Sequence, residues 1–230
     1  MTSRKNTIAK KLLLTSSGLD NQLLVDAFLQ MLPKAPNECT VAFIPTAGNT
    51  VVDQQHIRNR LSELRSIDIH TVRILDIEGM DKSSVREQLR DSDIVFVNGG
   101  NTFRLLHWAR QSGFCRVMNE LLEHGVVYVG VSAGSYLACP TIEAAGWKHG
   151  DTNTEKLADL AAINAVPFLV TAHYDESKVD EVSDGAVNTT LAIVALRDGQ
   201  AIQVIGDKVT FIGEGEPIAF NGFVEQYLSR

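Results

Sequence analysis

Residues 126–140, VVYVGVSAGSYLACP, decide how this 230-residue chain folds. β-Branched and aromatic residues run into Gly130-Val131-Ser132-Ala133-Gly134, and small residues then follow up to Pro140. The first half reads as a strand and the second as the start of a helix that packs closely on it. Ser132 stands between two glycines where one becomes the other. Two readings are open. A tight turn needs small residues, and a G-x-S-x-G elbow projects a nucleophilic hydroxyl beside backbone N–H groups that can receive an oxyanion.

Upstream, four more apolar runs alternate with helical patterns. KLLLTSSG (11–18), TVAFIPTAG (40–48), IHTVRILDI (69–77) and DIVFVNGG (93–100) read as strands. Between the first two, Leu23, Leu24, Ala27, Phe28, Met31 and Leu32 recur at helical spacing up to Pro33. Ile57, Leu61 and Leu64 mark a second helix, and Ser84-Val85-Arg86-Glu87 reads as the capping box of a third. Residues 103–111 and the run of Phe114, Val117, Met118, Leu121 and Leu122 give two more helices before the strand at 126–132. Strands buried on both faces and alternating with helices predict a parallel sheet with helices on either side.

Past Pro140 the pattern is less regular. PFLVTAH (167–173) reads as a strand, and residues 177–194 give mixed signals. LAIVALRDG, QAIQVIGDK and VTFIGEGE read as short strands with glycine turns, expected to extend the sheet edge as antiparallel hairpins. The expected fold is α/β, a three-layer, mostly parallel sheet flanked by helices, with antiparallel C-terminal hairpin strands. We expect one domain over residues 1–230, with residues 1–10 a frayed extension.

Composition narrows the function classes. A net charge of −7, from 21 basic and 28 acidic residues, lacks the basic face that binding to a phosphate backbone needs. Cys39, Cys115 and Cys139 form no CxxC pair, and an odd count suits a reducing compartment. The six histidines show no HxxxH or HxH spacing for zinc. No apolar run reaches the roughly 18–20 residues of a membrane span, so a cytoplasmic protein is expected.

Functional groups in a parallel α/β sheet collect beyond the carboxyl ends of its strands. Ser132 is at one such end, with the Ala133 N–H as an oxyanion donor. VNGGNTF (97–103) ends the neighbouring strand. There the Gly100 N–H is a candidate second donor, and Asn101 is either a substrate contact or, like Thr102, a helix cap. His173, in VTAHYDE (170–176), ends another apolar run 41 residues after Ser132, where a general base would be needed. His149 competes with it, and the acids between Ser132 and the histidine are Glu143, Asp151, Glu155 and Asp159. Cys139 reads as a small buried residue.

GGNTF, G-x-SAG followed by CPTI, and PF…HY occur in an order and at spacings that resemble the serine peptidase family of peptidase E (α-aspartyl dipeptidase) and cyanophycinase. The match is strongest from about residue 93 to residue 175. The resemblance implies a fold related to class I glutamine amidotransferases and flavodoxin-like sheets. It also implies Ser132 as nucleophile, His173 as base and Gly100 and Ala133 as oxyanion donors, with no metal or organic cofactor. Asp151 is the expected third member of the triad and Glu143 the second choice. Arg197, in a Leu-Arg-acidic-Gly segment, is the expected partner of a substrate aspartate, with Asn101 beside it. The expected partner is a small peptide, bound by a monomer or homodimer, with neither nucleic acid nor membrane. Two rival functions remain: a non-catalytic small-ligand sensor of the same fold, and an α/β-hydrolase esterase. The esterase order would place its histidine several strand–helix units further on.

Overall fold

The computed structural model describes residues 8–49, 54–147 and 151–228, and of His56 the backbone alone. The strands are β1 (Lys11–Thr15), β2 (Thr40–Ile44), β3 (Thr71–Ile74), β4 (Ile94–Val97) and β5 (Val127–Val131), then β6 (Leu169–Thr171), β7 (Ile193–Ala195), β8 (Ala201–Ile205), β9 (Lys208–Ile212) and β10 (Ile218–Phe220). The helices are α1 (Gln22–Leu29), α2 (Gln55–Ser66), α3 (Lys82–Leu89), α4 (Thr102–Gln111), α5 (Phe114–Glu123), α6 (Ala133–Ala138) and α7 (Val179–Val187). The main sheet runs β3-β2-β4-β5-β1-β8-β9. Its first five strands are parallel, and β8 and β9 continue it as an antiparallel hairpin.

Period-two alternation explains why the central strands are apolar throughout. Leu13, Val41, Phe43, Ile94, Phe96, Val127 and Val129 point to one face, where Leu24 and Phe28 of α1 and Leu64 of α2 cover them. Their neighbours Leu12, Leu14, Ala42, Ile44, Val95, Val97 and Tyr128 point the other way. There they meet Val85 of α3, Leu105 of α4, Val117 of α5 and Leu137 of α6. Three layers result, as expected.

The small residues around Ser132 have a packing cause as well. α6 lies so close to the sheet that a Cβ on Gly134 would come within 2.2 Å of the Val97 carbonyl oxygen. Tyr128 pins the helix from below, its hydroxyl donating to Gly134 O at 2.6 Å. Burial pushes this phenol well above its ordinary range, which keeps it a neutral donor. Tyr128→Phe is therefore expected to cost about 1 kcal/mol of stability, read as a lower urea midpoint. An unchanged midpoint would mean that the bond contributes nothing net.

Three expectations change. α3 starts earlier than the proposed capping box, because Asp81 caps it by accepting from Ser84 N at 2.8 Å. α1 stops at Leu29, short of Pro33. The C-terminal strands do not all join the main sheet: β7 and β10 form a separate three-stranded sheet, in order β10-β7-β6. The reason is connectivity. β6, α7 and β7 make a crossover unit, so β7 lies parallel to β6, and only β10 returns antiparallel to it. Among the described residues no helix is long and apolar enough to cross a membrane.

Candidate active site

Register in the two sheets sets the ends of five strands at the candidate site. Gly130 of β5 pairs with Leu14 of β1 on one side and with Val97 of β4 on the other. Two residues beyond that register, Ser132, Ser16 and Gly99 therefore emerge side by side. In the smaller sheet Thr171 pairs with Ala195, so His173 and Asp198 leave adjacent parallel strands within three residues of the last pair.

Ser132 is the cap of α6 with φ 48° and ψ −106°, a region that non-glycine residues rarely occupy. The turn is held by its ends. The Ser132 N–H donates to Thr15 O at 3.0 Å, and Ser132 O accepts from Ser135 N at 2.8 Å and Tyr136 N at 3.1 Å. Ser135 Oγ, fully buried, bonds both Thr15 O and Gly130 O. The Ala133 N–H opens α6 and has no intrahelical acceptor. Gly100 has φ 145°, and a Cβ there would lie 2.2 Å from Ala47 O, so only glycine fits. Among the described residues neither the Gly100 nor the Ala133 N–H has a hydrogen-bond partner, which leaves both available to an oxyanion.

His173 also has positive φ, at 53°. Its backbone is clamped on both sides: the N–H donates to Ser16 Oγ at 2.8 Å, and the carbonyl accepts from Lys178 Nζ at 2.9 Å. The ring's Nδ1 lies 2.7 Å from Asp198 Oδ1. That same oxygen accepts from Ser16 Oγ at 2.8 Å. Ser16, fully buried at the end of β1, thus fixes both the histidine backbone and the carboxylate. The Asp198 turn is tied down further by Ser16 N donating to Gln200 O and by Gly199 N donating to Ser17 Oγ, both at 3.0 Å. With a carboxylate on Nδ1, the neutral ring presents Nε2 as its acceptor.

Ser132 and His173 line one cavity of about 350 Å³, together with Ser17, Arg60, Asn98, Gly99, Gly100 and Val131. Among the described residues no hydrogen bond joins Ser132 Oγ to the ring. Such contacts commonly tighten only when substrate is present. A hydroxyl, an imidazole backed by a carboxylate and two free N–H groups around one cavity can carry out acyl transfer.

The expected third acid is corrected. Asp151 accepts from Thr102 N at 2.8 Å and so serves the start of α4, and the carboxylate on His173 is that of Asp198. Glu143 is in a short turn after α6, its N–H on Thr141 Oγ1. Asp198 lies outside the stretch between Ser132 and His173, because the partner follows the base in the chain. Its signal in the sequence is the Asp-Gly turn in ALRDGQ at a strand end. Arg197 itself is bound to Glu176, Nη2 to Oε1 at 2.6 Å, and lines a separate cavity of about 510 Å³. Asn101 is a helix cap: Oδ1 accepts from Arg104 N at 2.8 Å and Nδ2 donates to Thr152 O at 3.0 Å. His149 lies outside the described residues. Cys139 is fully buried, and burial pushes its thiol up to about 12, far from a reactive thiolate.

Comparison with known proteins gives matches over most of the chain. The model of "Peptidase family S51" matches residues 12–212. Peptidase E of Shewanella amazonensis is 28% identical over 229 residues, covering 94% of this chain and 93% of its own. An uncharacterized peptidase of Pasteurella multocida is 27% identical over 201 residues, covering 85% and 93%. Among solved structures, the "Putative Peptidase E Protein" of Listeria monocytogenes EGD-e has a TM-score of 0.77 at 26% identity, covering 90% of this chain and all of the other.

Proposed function

The chain belongs to peptidase family S51, and from that premise we propose that it is a serine peptidase acting through an acyl-enzyme on Ser132. The observation that carries the reading is the shared cavity: Ser132 and His173 both line it, and Asp198 holds the far nitrogen of the ring. His173 Nε2 takes the Ser132 proton as Oγ attacks the carbonyl carbon. The negative charge that develops on the carbonyl oxygen is held by the Gly100 and Ala133 N–H groups. The imidazolium then gives its proton to the leaving amine, and water, deprotonated by the same ring, releases the acyl group.

The finer reading is a dipeptidase for short peptides with an N-terminal aspartate. A cavity of about 350 Å³ is at the small end of ligand sites and holds one or two residues rather than an extended chain. Similar proteins called Peptidase E favour the same direction.

The test is labelling by an uncharged, serine-directed phosphonate followed by peptide mapping. One adduct on Ser132, absent from Ser132→Ala, is the expected result. A folded protein that takes no label would instead favour the ligand-sensor alternative.

A further inference from the structure

β6 carries His173 just past its end, and it is an edge strand that β7 pairs on one side only. Alternate groups turn toward β7, with Leu169 N donating to Ala192 O and Thr171 O accepting from Leu196 N. The N–H groups of Val170 and Ala172 turn the other way. They meet Cys139, just past the end of α6, and Tyr136 within it. Val170 N donates to Cys139 Sγ at 3.3 Å, and Ala172 N donates to Tyr136 Oη at 3.0 Å. The helix that follows the nucleophile thus stands where a neighbouring strand would run.

Tyr136 connects nucleophile and base in two steps. Its N–H donates to Ser132 O at 3.1 Å, and its hydroxyl takes the N–H of the residue just before His173. Thr171 Oγ1 lies 3.2 Å from the same hydroxyl. The phenol proton can pass to that oxygen, which leaves a lone pair for the Ala172 N–H. Burial pushes the phenol up to about 12, so it stays protonated and neutral. Successive amides at the base therefore rest on two hydroxyls, Ala172 on Tyr136 and His173 on Ser16. Their effects differ. Ser16 also holds Asp198 and so sets the base against its acid. Tyr136 sets the base against its nucleophile.

We infer that Tyr136 is a positioning residue for acyl transfer, its hydroxyl setting how far the His173 imidazole stands from Ser132 Oγ. The inference rests on the serine-peptidase reading and adds a residue to it. Among the described residues no hydrogen bond joins Ser132 Oγ to the ring, so the base must close on the hydroxyl during reaction. An error of about 1 Å in such a placement can cost on the order of 10²-fold in rate. A phenylalanine would keep the aromatic ring in the core but release residue 172 from α6. The bond between His173 and Asp198, made within the smaller sheet, would stay.

The experiment reads the rate at which the uncharged phosphonate labels Ser132, which requires no knowledge of the substrate. In Tyr136→Phe the maximal labelling rate should fall by roughly ten- to a hundredfold. The phosphonate concentration that gives half the maximal rate should stay within about twofold, because the variant removes no binding contact. Cys139→Ala is the control, since it cuts the neighbouring tie to Val170 N, three residues before the base. Both variants should lower the urea midpoint, but Cys139→Ala should label within about threefold of the original rate. Thr171→Val, nearly isosteric and so a safeguard if Tyr136→Phe folds poorly, removes the oxygen beside the phenol and should slow labelling several-fold. Labelling of Tyr136→Phe within about threefold of the original would overturn the inference. So would an equal loss in Cys139→Ala, a change confined to the half-saturating concentration, or an unaffected Thr171→Val. An original protein that takes no label sinks the peptidase reading and this inference with it. One that labels at a rate indifferent to Tyr136 sinks the positioning role alone.

Discussion

Ser132→Ala should lower kcat on a cleaved dipeptide by about 10⁶-fold and leave the fold in place. The size follows from the arrangement around the hydroxyl. Among the described residues that line the cavity the other hydroxyl is engaged: Ser17 Oγ accepts the Gly199 N–H and donates to Asp20. The elbow does not depend on the hydroxyl for its shape, because the turn is fixed through backbone bonds to Thr15, Ser135 and Tyr136. Removing one oxygen that makes no hydrogen bond among the described residues, the substitution should leave the thermal midpoint within a degree or two. Steady-state assays at saturating substrate, with a circular dichroism melt alongside, check both halves. Activity within tenfold of the original would remove Ser132 from the mechanism.

The second large effect concerns the carboxylate. Asp198→Asn is expected to lower kcat by about 10³- to 10⁴-fold, the range seen when the group that orients a catalytic imidazole loses its charge. An amide in its place can turn its NH₂ toward Nδ1. That would fix the wrong tautomer and leave Nε2 protonated, unable to take the serine proton. Asp151→Asn removes only an acceptor on Thr102 N at the start of α4, so its activity should stay within about tenfold. Comparing kcat for the two variants decides between the carboxylates. Equal losses, or a larger loss at Asp151, would put the orienting group elsewhere.

The contrast between these two acids shows what could be read without a structure. Ser132, Gly100 and Ala133 belong to local strand–turn–helix patterns, where glycine and small-residue chemistry declares itself within five or six positions. The layers were legible for the same reason, since unbroken apolar runs such as Ile94–Val97 have only one way to be covered. Asp198 meets His173 through a pairing between β6 and β7, strands separated by all of α7. Nothing in the spacing of 25 residues specifies that contact. Asn101 is legible as a helix cap, because it directly precedes α4.

The nucleophile and its proton acceptor hang on different sheets. Ser132 ends β5 of the seven-stranded sheet, whereas His173 and Asp198 end β6 and β7 of the three-stranded one. At the site Ser16 and Gln200 join the two. The smaller sheet has three strands of three residues each, the kind of unit that opens at a free energy below that of the whole molecule. Catalytic competence is then a property of the seam, and it should fail first. In a urea series, turnover would fade before the fluorescence of the main core changes, and amide hydrogens of 169–171 and 193–195 would exchange in step with that loss.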